Sequence, residues 1–312
     1  MSVLICGSFA YDNIMVFEDR FANHILPDKI HILNVSFLVP AMRREFGGCA
    51  GNIAYNLKLL GGAPVPMGTV GSDFEPYRQW LDRCGIDHRY VRAVSDSLTA
   101  QAFITTDLDD NQITAFHPGA MSHAQQNKVG EVSGVRLGIV APDGRDGMIQ
   151  HAEQFAAAKI PFIFDPGQGM PMFDGADLRR FMEQANYVTV NDYEWQLLQE
   201  RTGLDEKGVL AQVDALIVTR GAHGSTIYTR TDTHYIPPAK PAQVVDPTGC
   251  GDAYRAGLLY GLARGMDWEV TGRIASLAGA IKIEHHGTQN HRFTPAEFAT
   301  RYEREFNAPL SL

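Results

Sequence analysis

The feature of the sequence that most constrains the fold is a repeated alternation of short apolar runs with longer segments of helical spacing. Val3–Gly7, Leu137–Val140 and Ala215–Thr219 are apolar runs followed by turn residues, as buried strands are. Asn52–Leu60 has its apolar residues at helical spacing and ends before two glycines, which is typical of a helix. Continuous apolar strands separated by helices predict an α/β fold, in which a parallel sheet is covered on both faces. The same patterns predict strands at Val65–Val70, Phe162–Asp165 and Tyr187–Val190, and helices at Phe74–Cys84, Asp146–Ala158, Asp177–Gln184, Asp192–Arg201, Gly251–Ala263, Trp268–Glu284 and Pro295–Phe306.

Two stretches interrupt this alternation. Lys29–Val39 lies between the first strand and the first helix, while Thr99–Thr106 and Gln112–Phe116 flank an acidic turn. Both stretches have the pattern of antiparallel strands with no helix between them. We interpret them as one small β-sheet, formed by about residues 13–46 and 98–118, that packs over the ends of the main sheet as a lid. The alternative is an edge extension of the main sheet.

Length and charge narrow the classes of function. The chain has 312 residues, with 27 basic and 36 acidic side chains and a net charge of −9, which argues against a nucleic-acid partner because such proteins present a basic face to phosphates. No apolar run is long enough to span a bilayer, and the first residues lack a secretory leader pattern. Four spaced cysteines without a C-x-x-C pair are typical of reduced thiols. We expect a cytoplasmic protein without a membrane partner, and a single domain over residues 1–312, because no linker is visible.

The most informative motif is Asp246–Gly257, with the sequence DPTGCGDAYRAG. Gly249, Cys250 and Gly251 come just before a helical run, so their backbone N–H groups predict an anion site at a helix N-terminus. Asp252 lies in the first turn, where its carboxylate can take a proton from a hydroxyl while the amides hold a phosphoryl group. The motif favours phosphoryl transfer to an alcohol; the alternative is a helix cap beside a tight turn.

A second glycine cluster, FGGCAGN, opens another predicted helix. Gly47 and Gly48 let a ligand approach the backbone closely, and the Asn52 amide offers donors and an acceptor suited to sugar hydroxyls. Asp12 follows the first strand and can accept hydrogen bonds from two adjacent hydroxyls. Taken alone, each of these features is explained more simply by a turn or a cap.

Two other turns follow predicted strands, and ligands of such sheets bind at the carboxyl ends of strands. Asn191 and Glu194 are spaced to share one face of a helix start, where an amide and a carboxylate beside phosphates can order a hydrated magnesium ion. The same spacing fits a capping box, which the spacing alone favours. Thr219, Gly221 and Gly224 can let a nucleotide lie along the backbone, and a hairpin is the alternative.

Together, these motifs resemble those of the ribokinase-like (PfkB) family of carbohydrate and nucleoside kinases. GGCAGN, NDYE and DPTGCGDAYRAG occur in the family's order, and the chain has no Walker sequence, as expected of a family that builds its phosphate site without one. The resemblance covers nearly the whole chain and implies a three-layer α/β/α fold with a mainly parallel central sheet and a small β-sheet lid. Pro247, Cys250 and Tyr254 depart from the usual Thr, Ala and Phe of the last motif, and Cys250 is small enough to preserve the turn.

The resemblance also implies roles for the residues of the site, with ATP and Mg²⁺ as cofactors. Asp252 matches the catalytic base, and the amides from Gly249 to Gly251 match the anion hole. The other implied roles are contacts to the substrate sugar by Asp12, Gly47, Gly48 and Asn52, contacts to ATP by Asn191, Glu194, Thr219, Gly221 and Gly224, an indirect magnesium contact by Glu194, and a monovalent cation such as K⁺ near Asp246, Thr248 and the loop around Gly287 and Gln289.

Within the family, GSFAYDN, HILNVSFLVPAMRREFGG and APDGRDGM resemble most closely the prokaryotic adenosine (nucleoside) kinases. That resemblance implies phosphorylation of a nucleoside 5′-hydroxyl by ATP, adenosine to AMP in the leading hypothesis, through in-line transfer under a closed lid. Phe103, Phe116 and Phe37 are lid candidates for stacking on a purine, and core packing is the simpler interpretation of each.

Two other functions stay open. A kinase of a free sugar such as ribose or fructose is the first, and Arg43 and Arg44 could meet an acidic sugar. A catalytically silent nucleoside-binding protein is the second, although binding alone does not need a base such as Asp252. Lid dimers are common among the sugar kinases of the family, whereas some of its nucleoside kinases are monomers; we expect a homodimer.

Overall fold

The computed structural model describes residues 2–25, 31–32, 34–109 and 111–311. Its strands are β1 (Ser2–Cys6), β2 (Ala10–Val16), β3 (Ala41–Gly47), β4 (Ala63–Val70), β5 (Val91–Ala93), β6 (Ala100–Thr106), β7 (Gln112–His117), β8 (Val135–Val140), β9 (Phe162–Phe164), β10 (Tyr187–Asn191), β11 (Ala215–Thr219), β12 (Ser225–Thr229) and β13 (Thr233–Ile236). Its helices are α1 (Cys49–Leu59), α2 (Glu75–Cys84), α3 (Arg145–Ala157), α4 (Gly175–Gln184), α5 (Asp192–Thr202), α6 (Glu206–Leu210), α7 (Cys250–Arg264), α8 (Trp268–Ile283) and α9 (Pro295–Phe306).

The main sheet has the strand order β13-β12-β11-β10-β9-β8-β1-β4-β5. Its pairs from β11 to β5 are parallel, and β12 and β13 add an antiparallel edge. Successive side chains of β1 enter opposite cores: Val3 and Ile5 pack with α1, α7 and α8, whereas Leu4 and Cys6 pack with α3 and α4. This two-sided burial explains the unbroken apolar runs, and it confirms the predicted three-layer α/β/α fold.

The remaining strands form a separate sheet with the order β3-β2-β6-β7. Its outer pairs are antiparallel, and β2 and β6 pair in parallel. The small sheet is therefore confirmed, but the placement of one strand is wrong: the described residues of Lys29–Val39 are in no strand. The strands lie at Ala10–Val16 and Ala41–Gly47 instead, because β2 is selected by pairing with distant β6, which local patterns do not report.

Across the described ranges, every helix is too short or too polar to serve as a membrane span.

Candidate active site

The N-terminus of helix α7 has no side-chain cap. Its N-cap is Gly249, whose φ of +79° is left-handed, a backbone conformation that strains any residue with a Cβ. A Cβ added to Gly249 would lie 3.0 Å from Cγ2 of Thr288. Cys250, Gly251 and Asp252 are the first three helical residues. The Cys250 amide donates to the carbonyl of Pro247 over 3.2 Å, and the amides of Gly251 and Asp252 have no acceptor within the helix. This turn therefore offers N–H groups to an anion.

Asp252 connects this turn to helix α1. Asn52 donates a hydrogen bond from Nδ2 to Oδ2 of Asp252 over 2.8 Å. Burial raises the pKa of Asp252 to about 6, against the opposing effects of the Asn52 hydrogen bond and the Arg255 guanidinium. A carboxylate with this pKa is ionised at neutral pH and suited to accept a proton from a positioned hydroxyl.

A chain of hydrogen bonds fixes the orientation of the Asn52 amide. Trp80 Nε1 donates to Oε1 of Gln289 over 2.8 Å, and Gln289 Nε2 donates to Oδ1 of Asn52 over 2.9 Å. An indole N–H can only donate, so it sets which end of the Gln289 amide faces Asn52. Asn52 consequently turns Nδ2, a donor, toward Asp252. The sequence placed Gln289 only near a cation site and gave Trp80 no role.

A buried guanidinium lies beneath the same turn. Arg255 is 6% exposed, donates from Nε and Nη2 to the two carboxylate oxygens of Asp165 over 2.8 Å each, and donates from Nη1 to the carbonyl of Gly251 over 3.3 Å. Its Nη2 also lies 4.0 Å from Oε2 of Glu194. This ion pair ties the turn after β9 to the starts of α5 and α7. Sequence reasoning missed both partners, although a charge inside a buried helix requires a partner.

The predicted substrate residues meet where β2 and β3 pair. Asp12 lies within β2, opposite Glu45, so the turn-capping alternative for Asp12 is wrong. A Cβ at Gly47 would lie 2.5 Å from Oδ2 of Asp12, and Gly48, the N-cap of α1 with φ +85°, would place a Cβ 2.6 Å from the backbone of neighbouring β2. Burial raises the pKa of Asp12 to about 6, with added repulsion from Asp246 and Glu45. Gly47 therefore makes room for the Asp12 carboxylate, and Gly48 allows the start of α1 to approach the backbone before and at the start of β2.

Three of the five predicted ATP residues line a cavity of about 540 Å³, a size typical of small-molecule sites; Asn191 and Glu194 are outside its lining. Thr219, Gly221 and Gly224 form part of its wall, and Cys250 and Gly251 bring the start of α7 to the same cavity. The rest of the wall is largely apolar, as suits a flat aromatic base. Its other lining residues include Pro238, Ala239, Pro241, Val244, Ala280 and Ile283.

The sequence matches the pfkB family carbohydrate kinases over residues 12–295. The chain belongs to this family. A nucleoside kinase of Methanocaldococcus jannaschii is 32% identical to this kinase over 273 residues, which cover 87% of this chain and 90% of the relative.

Solved structures extend the comparison. A nucleoside kinase of Burkholderia thailandensis in complex with inosine is 56% identical and superposes with a TM-score of 0.90, covering 98% of this chain and 99% of that one. The same enzyme in complex with ADP-inosine is 57% identical, with a TM-score of 0.88 and coverage of 98% and 97%. A ribokinase of Thermotoga maritima, 20% identical over 97% and 99% of the two chains, has a TM-score of 0.80. The ribokinase-like fold is thereby confirmed.

In this kinase, Asn191 and Glu194 form the capping box of α5. Oδ1 of Asn191 accepts from the Glu194 amide over 2.7 Å, and Oε2 of Glu194 accepts from the Asn191 amide over 2.8 Å. The capping alternative is therefore correct for these atoms. Burial raises the pKa of Glu194, while the Arg255 guanidinium opposes the increase. The capping box uses Oδ1 of Asn191 and Oε2 of Glu194. The other carboxylate oxygen of Glu194, Oε1, is a type of ligand that suits hydrated Mg²⁺.

The two aromatic candidates of the small sheet face opposite ways. Paired residues share a face of a sheet, and successive residues alternate. Asp12 pairs with Ala102, which pairs with Phe116, whereas Phe103 pairs with Asn13. Phe116, 52% exposed, thus shares the face of Asp12, and Phe103 lies on the other face. The third candidate, Phe37, packs at 4.9 Å and 5.0 Å between ring centroids against Phe17 and Phe21.

The two arginines of β3 are divided in the same way. Arg44 donates from Nε to Oδ1 of Asn13 over 2.9 Å and lies over the Tyr11 ring at 5.1 Å, on the face away from Asp12. Arg43 shares the face of Asp12, and its Nε lies 3.7 Å from Oε1 of Glu45. Of the two arginines, Arg43 is therefore the one placed to meet the acidic group of a sugar bound beside Asp12.

The surroundings of Asp246 test the implied monovalent cation. Its Oδ1 and Oδ2 accept from the amides of Thr248 and Gly287 over 2.9 Å each. The ammonium of Lys282, which is buried, lies 3.9 Å from Oδ1. Burial opposes ionisation, but these donors prevail and lower the pKa of Asp246. The negative charge already has a cationic neighbour, so a separate K⁺ fits poorly here. Within the described ranges, no three His, Cys, Asp or Glu side chains form a metal-binding group.

Proposed function

We propose that this kinase transfers the γ-phosphoryl group of ATP to the 5′-hydroxyl of a purine nucleoside. The observation that carries the proposal is the position of Asp252, which is joined to the acceptor side through Asn52 and stands next to the open turn that borders the nucleotide cavity. The inosine complex of the 56% identical relative supports a purine nucleoside as acceptor. Adenosine and inosine are both proposed as substrates.

The acceptor ribose would lie between β2 and the start of α1. Asp12 would accept hydrogen bonds from two ribose hydroxyls, and the exposed backbone at Gly47 and Gly48 would let the sugar approach. Phe116 is proposed to stack on the base from the small sheet. Closing this sheet over the ribose as a lid would exclude water, which would otherwise compete as acceptor.

The residues of the chain then divide the chemistry. Asp252 takes the proton of the 5′-hydroxyl as that oxygen bonds to the γ-phosphorus of ATP, while the bond from the γ-phosphorus to the bridging oxygen breaks and ADP leaves. The amides from Gly249 to Gly251 stabilise the charge on the transferred group. Asn191 and Glu194 would hold a hydrated Mg²⁺, which when bound supplies neutralisation of the phosphate charges. Thr219, Gly221 and Gly224 are proposed to bind the nucleotide along their backbone.

A free-sugar kinase is the second candidate, favoured by Arg43 on the face of Asp12 and by the carbohydrate kinases of the family. A panel that measures ADP release with adenosine, inosine, guanosine, ribose and fructose separates the two. Release with a nucleoside and none with the free sugars is the expected outcome. No release with any nucleoside would remove the leading proposal. The homodimer stays a prediction, which light scattering would test.

The role of Asp252 is tested by Asp252→Asn. We expect kcat to fall by about 10²–10⁴-fold, the usual contribution of a general base, with nucleoside affinity nearly unchanged in calorimetry. For the wild type, kcat/KM should rise with pH through about 6, because the pKa values of Asp252 and Asp12 are both raised to about 6 and the protonated acids lose their acceptor function. Asp232→Asn, on an exposed turn, is the control. Near-normal turnover of Asp252→Asn would exclude this role.

A further inference from the structure

Lys282 is a buried lysine that the mechanism above does not use. It lies in the last turn of α8 and is 0% exposed. Its Nζ donates to the carbonyl of Asp246 over 2.6 Å and to that of His285 over 3.4 Å, and it lies 3.9 Å from Oδ1 of Asp246. Lysine is almost never fully buried without a compensating partner. Two backbone carbonyls and a carboxylate are the kind of oxygen ligands that a protein offers to a monovalent cation.

These contacts hold the turn that leads to the anion site. The Asp246 carboxylate accepts from the amides of Thr248 and Gly287, so it joins the turn to the loop after α8. The backbone amide of Asp246 also donates to the carbonyl of Ile283 over 3.1 Å. Lys282 supplies the positive charge at this junction. Asp246, which it contacts, is three residues before the N-cap Gly249. Loss of that charge would leave the Asp246 carboxylate without its cation and loosen the turn that aims the amides.

We propose that the Lys282 ammonium is a built-in replacement for a monovalent cation, holding the Asp246 turn in shape so that phosphoryl transfer needs no K⁺. Lys282 is thus a positioning residue, which acts through Asp246 and touches no reacting atom. The proposal rests on the proposed kinase function for its activity assay, but the state of the turn can also be measured without turnover.

The first experiment compares the wild type in chlorides of K⁺, Na⁺ and tetramethylammonium at equal ionic strength, with Mg²⁺ and ATP saturating. We expect kcat to agree within about twofold in the three salts, since the Lys282 side chain provides the positive charge whichever cation the buffer contains. Activation by K⁺ of about tenfold or more over tetramethylammonium, equivalent to about 1.4 kcal/mol, would overturn the proposal.

The second experiment uses Lys282→Met, which keeps the aliphatic stem and removes the charge. In tetramethylammonium, kcat should fall by about 10-fold to 100-fold, with the KM for the nucleoside unchanged, and K⁺ or NH₄⁺ should restore it. Lys58→Met, on the exposed face of α1, is the matched control and should show no cation effect. Full turnover of Lys282→Met without K⁺, or a loss that neither cation restores, would contradict the proposal.

Thermal unfolding separates this inference from the kinase function. K⁺ should raise the Tm of Lys282→Met and leave that of the wild type unchanged, because only the variant has an unmatched carboxylate at Asp246. This readout stays valid if the wild type releases no ADP with any nucleoside, an outcome that would refute the proposed function alone. A variant whose Tm is the same in K⁺ and in tetramethylammonium, or that is unfolded in both, would refute the role of Lys282.

Discussion

Helices α7 and α9 begin in opposite ways. The N-cap of α9 is Thr294, whose Oγ1 accepts from the Glu297 amide over 3.2 Å, while Oε2 of Glu297 accepts from the Thr294 amide over 2.8 Å. The N-cap of α7 is Gly249, which has no side chain to offer. In α9 two amides have side-chain acceptors. In α7 the Cys250 amide donates to the carbonyl of Pro247 over 3.2 Å, and the amides of Gly251 and Asp252 remain for a ligand. A helix start can therefore serve stability or anion binding, and this kinase assigns the two tasks to different helices.

The two types of helix start, with a glycine N-cap or with a capping box, also occur in α1 and α5, which border the candidate site. α1 resembles α7 only in its glycine N-cap, Gly48 with φ +85°. Its first two amides already have acceptors, because Ser8 accepts from Cys49 with its Oγ over 3.2 Å and from Ala50 with its carbonyl over 2.9 Å. α5 resembles α9, because Asn191 and Glu194 form a capping box. The proposed phosphate site lies at the open start of α7, the proposed acceptor site lies at the start of α1, which Ser8 closes, and the proposed magnesium site lies at the capping box of α5. Substitutions at the N-caps can therefore separate binding from stability.

Among the substitutions at helix starts, the largest effect is expected for Gly249→Ala. The added Cβ meets Thr288 at 3.0 Å and the left-handed φ strains alanine, so the turn should move and misplace the amides. We expect kcat to fall by about 10²–10³-fold, as when an oxyanion-hole donor is removed, with a stability loss of about 1–3 kcal/mol. Steady-state kinetics and urea unfolding measure the two quantities.

The matched control lies at the other end of the same helix. Gly265 is the C-cap of α7 with φ +64°, and a Cβ there meets nothing within 4 Å. Gly265→Ala should lose a similar amount of stability through backbone strain and keep normal turnover. Equal kcat values for the two variants would show that the open start of α7 has no special role in transfer.

Local patterns in the sequence were sufficient for the elements that bear on this comparison. Ala215–Thr219 and Pro295–Phe306 have the predicted bounds, because a buried strand and a capped amphipathic helix are each encoded within their own residues. The glycine N-caps of α1 and α7 were visible for the same reason. By contrast, β5 and α6, three and five residues long, are too short to show a period.

What the sequence could not provide are the partners across the fold. Arg255 and Asp165 are 90 residues apart, and Gln289 and Asn52 are 237 apart. No spacing rule links such pairs, because tertiary packing alone brings them together. The opposite orientations of Phe103 and Phe116 likewise depend on strand register, since a shift by one residue reverses every side chain of a strand.

Asn191→Ala should give an intermediate effect, because it opens a closed helix start at the edge of the site. Loss of the cap should lower stability by about 1 kcal/mol, and loss of the proposed magnesium and phosphate contact should raise the KM for ATP by about tenfold. Asp174→Ala is the control, since Asp174 caps α4 by accepting from the Asp177 amide over 2.8 Å. If both variants keep the same KM for ATP, the Asn191 side chain has only a capping role.

The smallest effect on turnover is expected for Thr294→Ala, which opens the start of α9 outside the proposed site. Two amides lose their side-chain partners once the box is broken, so the free energy of unfolding should fall by about 1 kcal/mol in urea, while kcat and both KM values stay unchanged. Thr300→Ala, in the middle of the same helix, removes a hydroxyl that donates to the carbonyl of Ala296 and caps no helix end. This substitution should change stability less. A loss of turnover in Thr294→Ala comparable to that of Asn191→Ala would mean that capping supports catalysis through rigidity of the whole fold. Open and closed helix starts would then differ in ligand contact but not in their importance for transfer.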